Sequence, residues 1–396
     1  MLSNEQISSL VAFRHALHRR PELSGEEVET AKHVQEMLAP LGADEIVTDL
    51  GPWTEPDGTK LGGTGIAVSF DSSVEGPSLL FRCELDALPI DEISDIDYHS
   101  EIETKAHLCG HDGHMAILTG LAMRLSTQRP KKGRVVLLYQ PAEETGKGAK
   151  AVLEDERFSP FIPDYAFALH NIPGTRHGEV LLKSGNMCCA SRGMRIRFEG
   201  KTSHASMPQD GVSPDDAICA SISGLKALAN GLNPEQALDD AFKLVTITHC
   251  HMGEPAFGVS PAVGEVWATL RTVTDAAMGD LIEKAESLVK TQAEKYGLQL
   301  NIDYDDVFHA CNNAVETSDM VKEALIETGT IHHEQPEPMR FSEDFGLMGH
   351  HCPSTLFLLG SGEAQPQLHN PDFDFPDQLI ATGVSIFETI IRQKLG

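Results

Sequence analysis

No apolar run in the 396-residue chain approaches the roughly twenty residues that a membrane-crossing helix needs. The opening residues, Met1-Leu2-Ser3-Asn4-Glu5, begin an amphipathic pattern and lack a basic segment followed by an apolar core. A membrane partner is therefore not expected, and a cytoplasmic location is. Positive charge is scarce: 31 Lys and Arg stand against 59 Asp and Glu, a formal net charge of -28. Such a chain repels nucleic-acid phosphates and anionic lipid, so no nucleic-acid partner is expected either. The eight cysteines are too scattered for a secreted disulfide framework, which fits a reducing compartment. There is no internal repeat and no low-complexity segment. What remains is an ordinary globular composition, 41% hydrophobic and 23% charged, in a chain long enough for two domains.

Against that background one short stretch stands out, Leu108-Cys109-Gly110-His111-Asp112-Gly113-His114-Met115-Ala116. It concentrates a thiol, two imidazoles and a carboxylate, with glycines that let the backbone turn tightly. Cys109 and His111 are two apart, a spacing that points both side chains the same way from a strand or extended loop but not from a helix. The pair is accordingly placed on a loop just before a buried helix over 115–125. A Cys- and His-rich loop between strand and helix suits a metal. A glycine loop whose polar groups only cap the helix is the alternative.

Taken in order, the chain opens with two helices. The first buries Ile7, Leu10, Val11 and Leu17. A Ser24-x-x-Glu27 capping box starts the second, with Val28, Ala31, Val34 and Leu38 inward. Strands are expected over 65–70 and 78–83, the latter running into Glu84-Leu85-Asp86. A further strand over 134–140 ends in Pro141-Ala142-Glu143-Glu144, and another over 164–169 ends in His170. Acids and histidines thus recur at successive strand ends, the edge where open α/β sheets place their sites.

From about Gly193 the order β-α-β-β-α-β is that of a ferredoxin-like unit. The expected fold is α/β, a main domain with a largely parallel sheet flanked by helices and a dinuclear metal site at strand C-terminal ends, carrying an inserted ferredoxin-like domain. The boundaries expected are 1–186 and 303–396 for the main domain and 187–302 for the insert. The main domain resumes with a helix over 315–327, the loop Phe341-Ser342-Glu343-Asp344-Phe345, a strand over 354–359, His369 in the loop that follows, and a closing helix over 378–392.

The candidate ligands are Cys109, His111, one of Glu143 and Glu144, His170 and His369. Five protein ligands exceed what a single catalytic ion takes while keeping an open position, so they suggest two ions sharing a bridge. Thiolate and imidazole favour zinc; manganese, cobalt and nickel also fit. If Glu144 is a ligand, Glu143 can act as general base towards an activated water and return the proton to a leaving amine. His204, in the loop 200–208 of the insert, is either surface decoration or a group that closes over the site to stabilise an oxyanion. Hydrolysis by a Cys109 nucleophile is disfavoured, because a histidine two residues away is poorly placed to reach the thiol and the remaining acids and histidines would be unused.

The elements Arg82-Cys83-Glu84-Leu85-Asp86-Ala87-Leu88-Pro89, His107-Leu108-Cys109-Gly110-His111-Asp112-Gly113-His114 and Gln140-Pro141-Ala142-Glu143-Glu144 resemble the metal-dependent amidohydrolases. These include hippurate hydrolase, N-acyl-amino-acid deacetylases and auxin-conjugate hydrolases, within the aminoacylase and carboxypeptidase superfamily. The similarity runs from His18-x-x-Pro21-Glu22-Leu23-Ser24 to His369. It implies two divalent ions held by Cys109, His111, Glu144, His170 and His369, with Glu143 as base and Asp86 beside the ligands. It also implies that His204 reaches over from the insert of its own chain or of a partner subunit, with a homodimer or larger oligomer formed through that insert. The implied substrate is a small N-acyl amino acid, cleaved at its amide bond. A dipeptidase or carboxypeptidase of the superfamily, or a catalytically silent binding protein, are the alternatives. Three positions depart from the family pattern: Glu84 replaces Asp, Met115 replaces a small polar residue, and Gly258 stands where the family has an Asn that helps hold the substrate. Arg271 matches a family arginine suited to the substrate carboxylate.

Overall fold

Four apolar segments, at 78–84, 134–140, 165–173 and 354–362, have almost every residue buried, the signature of strands covered on both faces. They form the parallel centre of one eight-stranded sheet. The computed structural model describes residues 1–230 and 237–396. It divides into two compact units, residues 1–187, 311–336 and 343–396 in the first and 188–310 with 337–342 in the second.

In the first unit the chain runs through helices α1 (Asn4–His18) and α2 (Val28–Leu38), strands β1 (Glu45–Thr54), β2 (Lys60–Asp71) and β3 (Ser78–Glu84), helix α3 (His111–Thr127), strand β4 (Arg134–Gln140), helix α4 (Gly148–Glu154), and strands β5 (Tyr165–Pro173), β6 (Val180–Leu182) and β7 (Gly185–Cys188). The second unit holds β8 (Ala190–Glu199), β9 (Ser203–His204), α5 (Asp215–Ala227), β10 (Lys243–Met252), β11 (Val259–Ser260), β12 (Val263–Thr272), α6 (Asp275–Tyr296) and β13 (Gln299–Phe308). The first unit then resumes with β14 (Cys311–Asn313), α7 (Val315–Thr328), β15 (His332–Glu334), β16 (Ser354–Gly362) and α8 (Leu379–Leu395).

The large sheet has the order β1-β2-β4-β3-β5-β16-β6-β15. β4, β3, β5 and β16 are mutually parallel, whereas β1, β2 and β6 pair antiparallel with their inner neighbours. Because β3 lies between β4 and β5, the winding of the chain reverses there, and the loops after these strands open a crevice at their carboxyl ends. Helix α3 is buried along nearly its whole length and packs with α1, α8 and β3. That close approach needs glycine: a Cβ on Gly383 of α8 would lie 2.7 Å from the Ile117 side chain, and one on Gly120 would lie 2.7 Å from Val384.

The second unit is a four-stranded antiparallel sheet ordered β10-β12-β8-β13. Burial alternates along β8 and β12, the period of a strand with one covered face. Ile196, Phe198, Val266, Ala268 and Leu270 on that face pack with Leu281, Ala285 and Val289 of α6. The ferredoxin-like strand order expected from the β-α-β-β-α-β succession is the order present. Strand β13 runs across position 302, and residues 303–310 stay with the second unit, so the sheet extends beyond the boundary expected there.

Several local expectations are corrected. Helix α3 begins at His111, not at Met115, because Gly110 takes the left-handed turn (φ 96°) immediately before it. No side-chain capping bond precedes α2, and Val28 is 62% exposed. Ser24 and Glu27 are engaged elsewhere: Ser24 Oγ donates to Asp86 Oδ2 and Glu27 accepts from Gly25, Ala142 and Thr64. Ser213 and Pro214 read as the N-cap and first residue of α5, whereas the helix starts at Asp215 with Pro214 as its N-cap, and the Asp215 N–H lies 3.5 Å from Ser213 Oγ. Strand β1 was not expected at all. It is a half-exposed edge strand with two register shifts and with Asp49 and Gly51 at positive φ, so its sequence shows no alternation.

Candidate metal centre

The carboxyl ends of β3, β4 and β5 each deliver a polar residue to the crevice. Asp86 follows β3, Glu143 and Glu144 follow β4, and His170 lies within β5. Cys109 comes from the loop before α3 and His111 from its first turn. His369, in the loop between β16 and α8, adopts a left-handed conformation (φ 66°), and its N–H donates to the Leu108 carbonyl at 2.9 Å. Residues spread over 261 positions, from 109 to 369, are thereby gathered into one cluster.

Potential ligand atoms of Cys109, His111 and His170 lie within 4.8 Å of one another, as do those of Cys109, Glu144 and His369 and those of His111, Glu143 and Glu144. Cys109 Sγ is 3.4 Å from His170 Nε2. His369 Nε2 is 3.6 Å from Glu144 Oε2, and His111 Nε2 is 3.8 Å from Glu144 Oε1. Two atoms each about 2.1 Å from one tetrahedral ion stand about 3.4 Å apart, so these gaps match neighbouring ligands of a shared cation.

The two buried histidines are oriented for that use. His111 Nδ1 faces the Asp86 carbonyl at 2.9 Å, and His170 Nδ1 faces the Asn171 carbonyl at 2.8 Å. A carbonyl only accepts, so both Nδ1 atoms carry the hydrogen and Nε2 is turned to the cluster. His111 Nε2 and Glu144 Oε1 are buried and without a hydrogen-bond partner.

The electrostatics call for positive charge. Burial, then the Glu343 and Glu144 carboxylates, push Glu143 well above the ordinary carboxylate range. Burial raises Glu144 to about 7, with His111 opposing and Asp86 reinforcing. Burial disfavours the His111 imidazolium, yet its hydrogen bond to Asp86 and the Glu84, Asp86 and Glu144 carboxylates raise it to about 10. A divalent cation would relieve the carboxylate repulsion and displace that proton. Burial also holds His170 well below its usual value and lowers His369, which leaves both neutral and able to donate a lone pair.

Asp86 does not enter these ligand groups. Its Oδ2 accepts the Ser24 hydroxyl at 2.7 Å and the Glu144 N–H at 2.9 Å, so it braces the turn that carries Glu144. Beneath the cluster lies a second layer that the sequence did not reveal. Arg82, fully buried, donates to Gln140 Oε1 (3.0 Å), Asp344 Oδ1 (2.6 Å) and Glu84, and forms an ion pair with Glu343 Oε1 (2.9 Å). Glu84 also meets His114 Nδ1 at 2.7 Å, and His114 Nε2 accepts the Asn171 N–H at 3.2 Å, so His114 is engaged on both nitrogens. The Asp344 N–H lies 3.4 Å from Glu143 Oε1. An arginine inside the apolar strand 78–84 was the one available signal.

In the second unit His204 is exposed on β9, and its Nδ1 accepts the Ser206 N–H at 3.1 Å. Its register partner is Val259 of β11, and the Gly258 carbonyl accepts the Ala205 N–H at 3.0 Å, so His204 and Gly258 are neighbours. Arg271 Nη1 donates to the Arg340 carbonyl at 2.6 Å and to Ser342 Oγ at 2.8 Å, which ties β12 to the segment 337–342.

A model of peptidase family M20/M25/M40 matches residues 80–393. The N-acetyldiaminopimelate deacetylase of Oceanobacillus iheyensis is 30% identical, covering 99% of this chain and 99% of its own. The hippurate hydrolase of Campylobacter jejuni is 29% identical over 97% of this chain and 96% of its own. Among solved structures, a Bacillus subtilis protein described as a dinuclear metal binding peptidase from the M20 family superposes with a TM-score of 0.79 at 26% identity, covering 99% of both chains.

Proposed function

The chain belongs to peptidase family M20/M25/M40 and is a metal-dependent amidohydrolase, and from that premise we propose that it hydrolyses the amide bond of N-acyl amino acids. The observation that carries the reading is the cluster of Cys109, His111, Glu143, Glu144, His170 and His369 at the carboxyl ends of the parallel strands.

In this reading Cys109, His111, Glu144, His170 and His369 would together hold two divalent ions. Zinc or manganese is the proposed metal, the thiolate favouring zinc and cobalt or nickel also fitting the donors. When bound, such ions supply Lewis-acid polarisation of the substrate carbonyl and lower the pKa of water. Glu143 takes a proton from the attacking water and returns it to the amine nitrogen as the C–N bond breaks. Burial and the acidic neighbours raise the proton affinity of the Glu143 carboxyl above that of an ordinary carboxylate, which suits a group that takes a proton and gives it back. Asp86 keeps His111 and Glu144 aligned through its carbonyl and carboxylate. His204 is proposed to stabilise the oxyanion, and Arg271 to pair with the substrate carboxylate.

A homodimer or larger oligomer through the second unit is part of the proposal. It is supported by β10, an edge strand of its sheet whose residues 248–252 are exposed, including Met252 at 42%. Among the described residues no helix is long and apolar enough to cross a membrane.

The test is metal stoichiometry on protein purified without chelator, paired with amine release from hippurate, a panel of N-acetyl amino acids and dipeptides. About two ions per chain with release of free amino acid from the acyl substrates is the expected result. Two ions with cleavage of dipeptides alone would move the activity to a peptidase. No bound metal after supplementation would overturn the roles given to Cys109 and His111.

A further inference from the structure

The loop between α1 and α2 reaches the carboxylate pair from behind. Glu27 is fully buried, and its Oε1 accepts the N–H groups of Gly25 and Ala142, both at 2.8 Å, while Oε2 accepts the Thr64 hydroxyl at 2.7 Å. Ala142 directly precedes Glu143 and has a φ of 50°. A left-handed conformation is strained for a non-glycine residue, and it persists only where the surroundings over-determine it. Here they do. The Ala142 carbonyl accepts the Gly148 N–H at 3.0 Å, its methyl is buried, and its N–H is held by Glu27. A Cβ on Gly148 would lie 1.6 Å from the Pro141 carbonyl oxygen, so the start of α4 presses directly on the same turn. Two residues further on, the Glu144 N–H is held by Asp86, which Ser24 also contacts. The turn 141–144 is therefore gripped at both ends by the segment 24–27, at Ala142 directly and at Glu144 through Asp86.

We propose that Glu27 is a positioning residue for the Glu143–Glu144 pair, acting through the backbone of Ala142. The φ of Ala142 sets the directions in which the two following carboxylates leave the main chain. Without an acceptor the buried Ala142 N–H is unpaired, and relaxation of φ to negative values relieves both penalties while turning the carboxylates away from their present places. The role asks for an acceptor at Oε1, not for ionisation. A glutamine can put its carbonyl oxygen there and point its NH₂ at the Thr64 hydroxyl, which can accept as well as donate. The inference rests on the reading of Glu143 as base and Glu144 as ligand.

The experiment compares cobalt(II)-loaded wild type, Glu27→Gln and Glu27→Ala by their visible d–d spectra, which report the ligand arrangement, and by kcat and KM on an N-acetyl amino acid. Glu27→Ala is expected to shift the bands and to lower kcat roughly 10- to 100-fold with KM little changed, the scale of loss from a small misplacement of reacting groups. Glu27→Gln is expected to overlay the wild type in both. A wild-type spectrum and kcat in Glu27→Ala, or damage in Glu27→Gln equal to that in Glu27→Ala, overturns the proposal. If the wild type binds cobalt but releases no amino acid, the substrate reading fails while the spectra still decide the positioning role. A wild type that takes up no cobalt removes the metal centre and this proposal with it. Should Glu27→Ala not fold, Glu27→Asp, one methylene too short to reach Ala142 and Thr64 together, is measured in its place.

Discussion

Glu143 and Glu144, adjacent in sequence, flank a single imidazole nitrogen: His111 Nε2 lies 4.0 Å from Glu143 Oε2 and 3.8 Å from Glu144 Oε1. Only Glu144 also faces His369, at 3.6 Å, whereas Glu143 lies against the Glu343–Asp344 segment. The proposed division of labour, Glu144 in the ligand set and Glu143 in proton transfer, follows these different surroundings. Glu143→Ala is therefore expected to keep about two ions per chain and to lose roughly 10²- to 10⁴-fold in kcat, the usual worth of a general base. Elemental analysis beside steady-state rates decides it. Loss of metal with activity retained would exchange the two roles.

His369 is the most exposed member of the cluster, its side chain 49% accessible, and it is held by a loop at positive φ rather than by a strand. Removing it leaves Cys109 and Glu144 as the remaining partners of that group. His369→Ala is expected to lower the metal content from about two ions towards one and to weaken the retention of the second during dialysis. An unchanged stoichiometry would take His369 out of the site.

The legible part of the site was the part written as dense local chemistry at strand ends. The glutamate pair and His170 sit at the ends of apolar runs that a parallel sheet brings to one edge, and the dense Cys109-Gly110-His111 stretch opens the buried helix after β3. The brace behind them was not legible. Ser24-x-x-Glu27 has the spacing of a capping box, and nothing in that spacing distinguishes a helix cap from a clamp on a turn more than a hundred residues away. Arg82 and Asp344 are separated by 262 positions, and one sequence carries no signal that pairs them. Strand β1 failed for a different reason, since an irregular edge strand has no buried face to impose alternation.

His204 is exposed, and its Nδ1 accepts from Ser206, which leaves Nε2 as the nitrogen able to donate to a substrate oxygen. His204→Ala is expected to lower kcat with both ions retained and with unfolding midpoints unchanged, because the side chain is exposed. Wild-type turnover in that variant would sink the oxyanion role.

Gly258 adjoins the same two-stranded ladder, and a Cβ built there meets no atom within 4 Å. Its φ is not in the left-handed region, so no backbone demand keeps it glycine. Gly258→Asn should fold with unaltered thermal stability. If this position faces the substrate, KM for N-acyl amino acids falls while kcat changes little; kinetics identical to wild type would place substrate recognition elsewhere.

The charge cluster on the other side of α3 gives a pH dependence that is independent of substrate. His18, fully buried, meets Asp112 Oδ2 at 2.8 Å and Glu92 Oε1 at 3.2 Å, and Arg14 donates to the same Asp112 oxygen at 3.0 Å. Burial opposes the His18 imidazolium, but the Asp112 charge and hydrogen bond, with Glu92, raise its pKa from 6.5 to about 9. A basic group raised on folding contributes stability that is complete below its unfolded pKa and is lost as pH climbs through the folded value. That contribution is therefore present at pH 6, declines from about pH 6.5 and is gone above about pH 9, a change on the order of 3 kcal/mol. Urea unfolding of the wild type should show that fall. His18→Gln, which cannot take up the proton, should be less stable than wild type at pH 6 and should show a flatter profile between pH 6.5 and 9. A variant profile as steep as the wild type's would assign the pH dependence to another group.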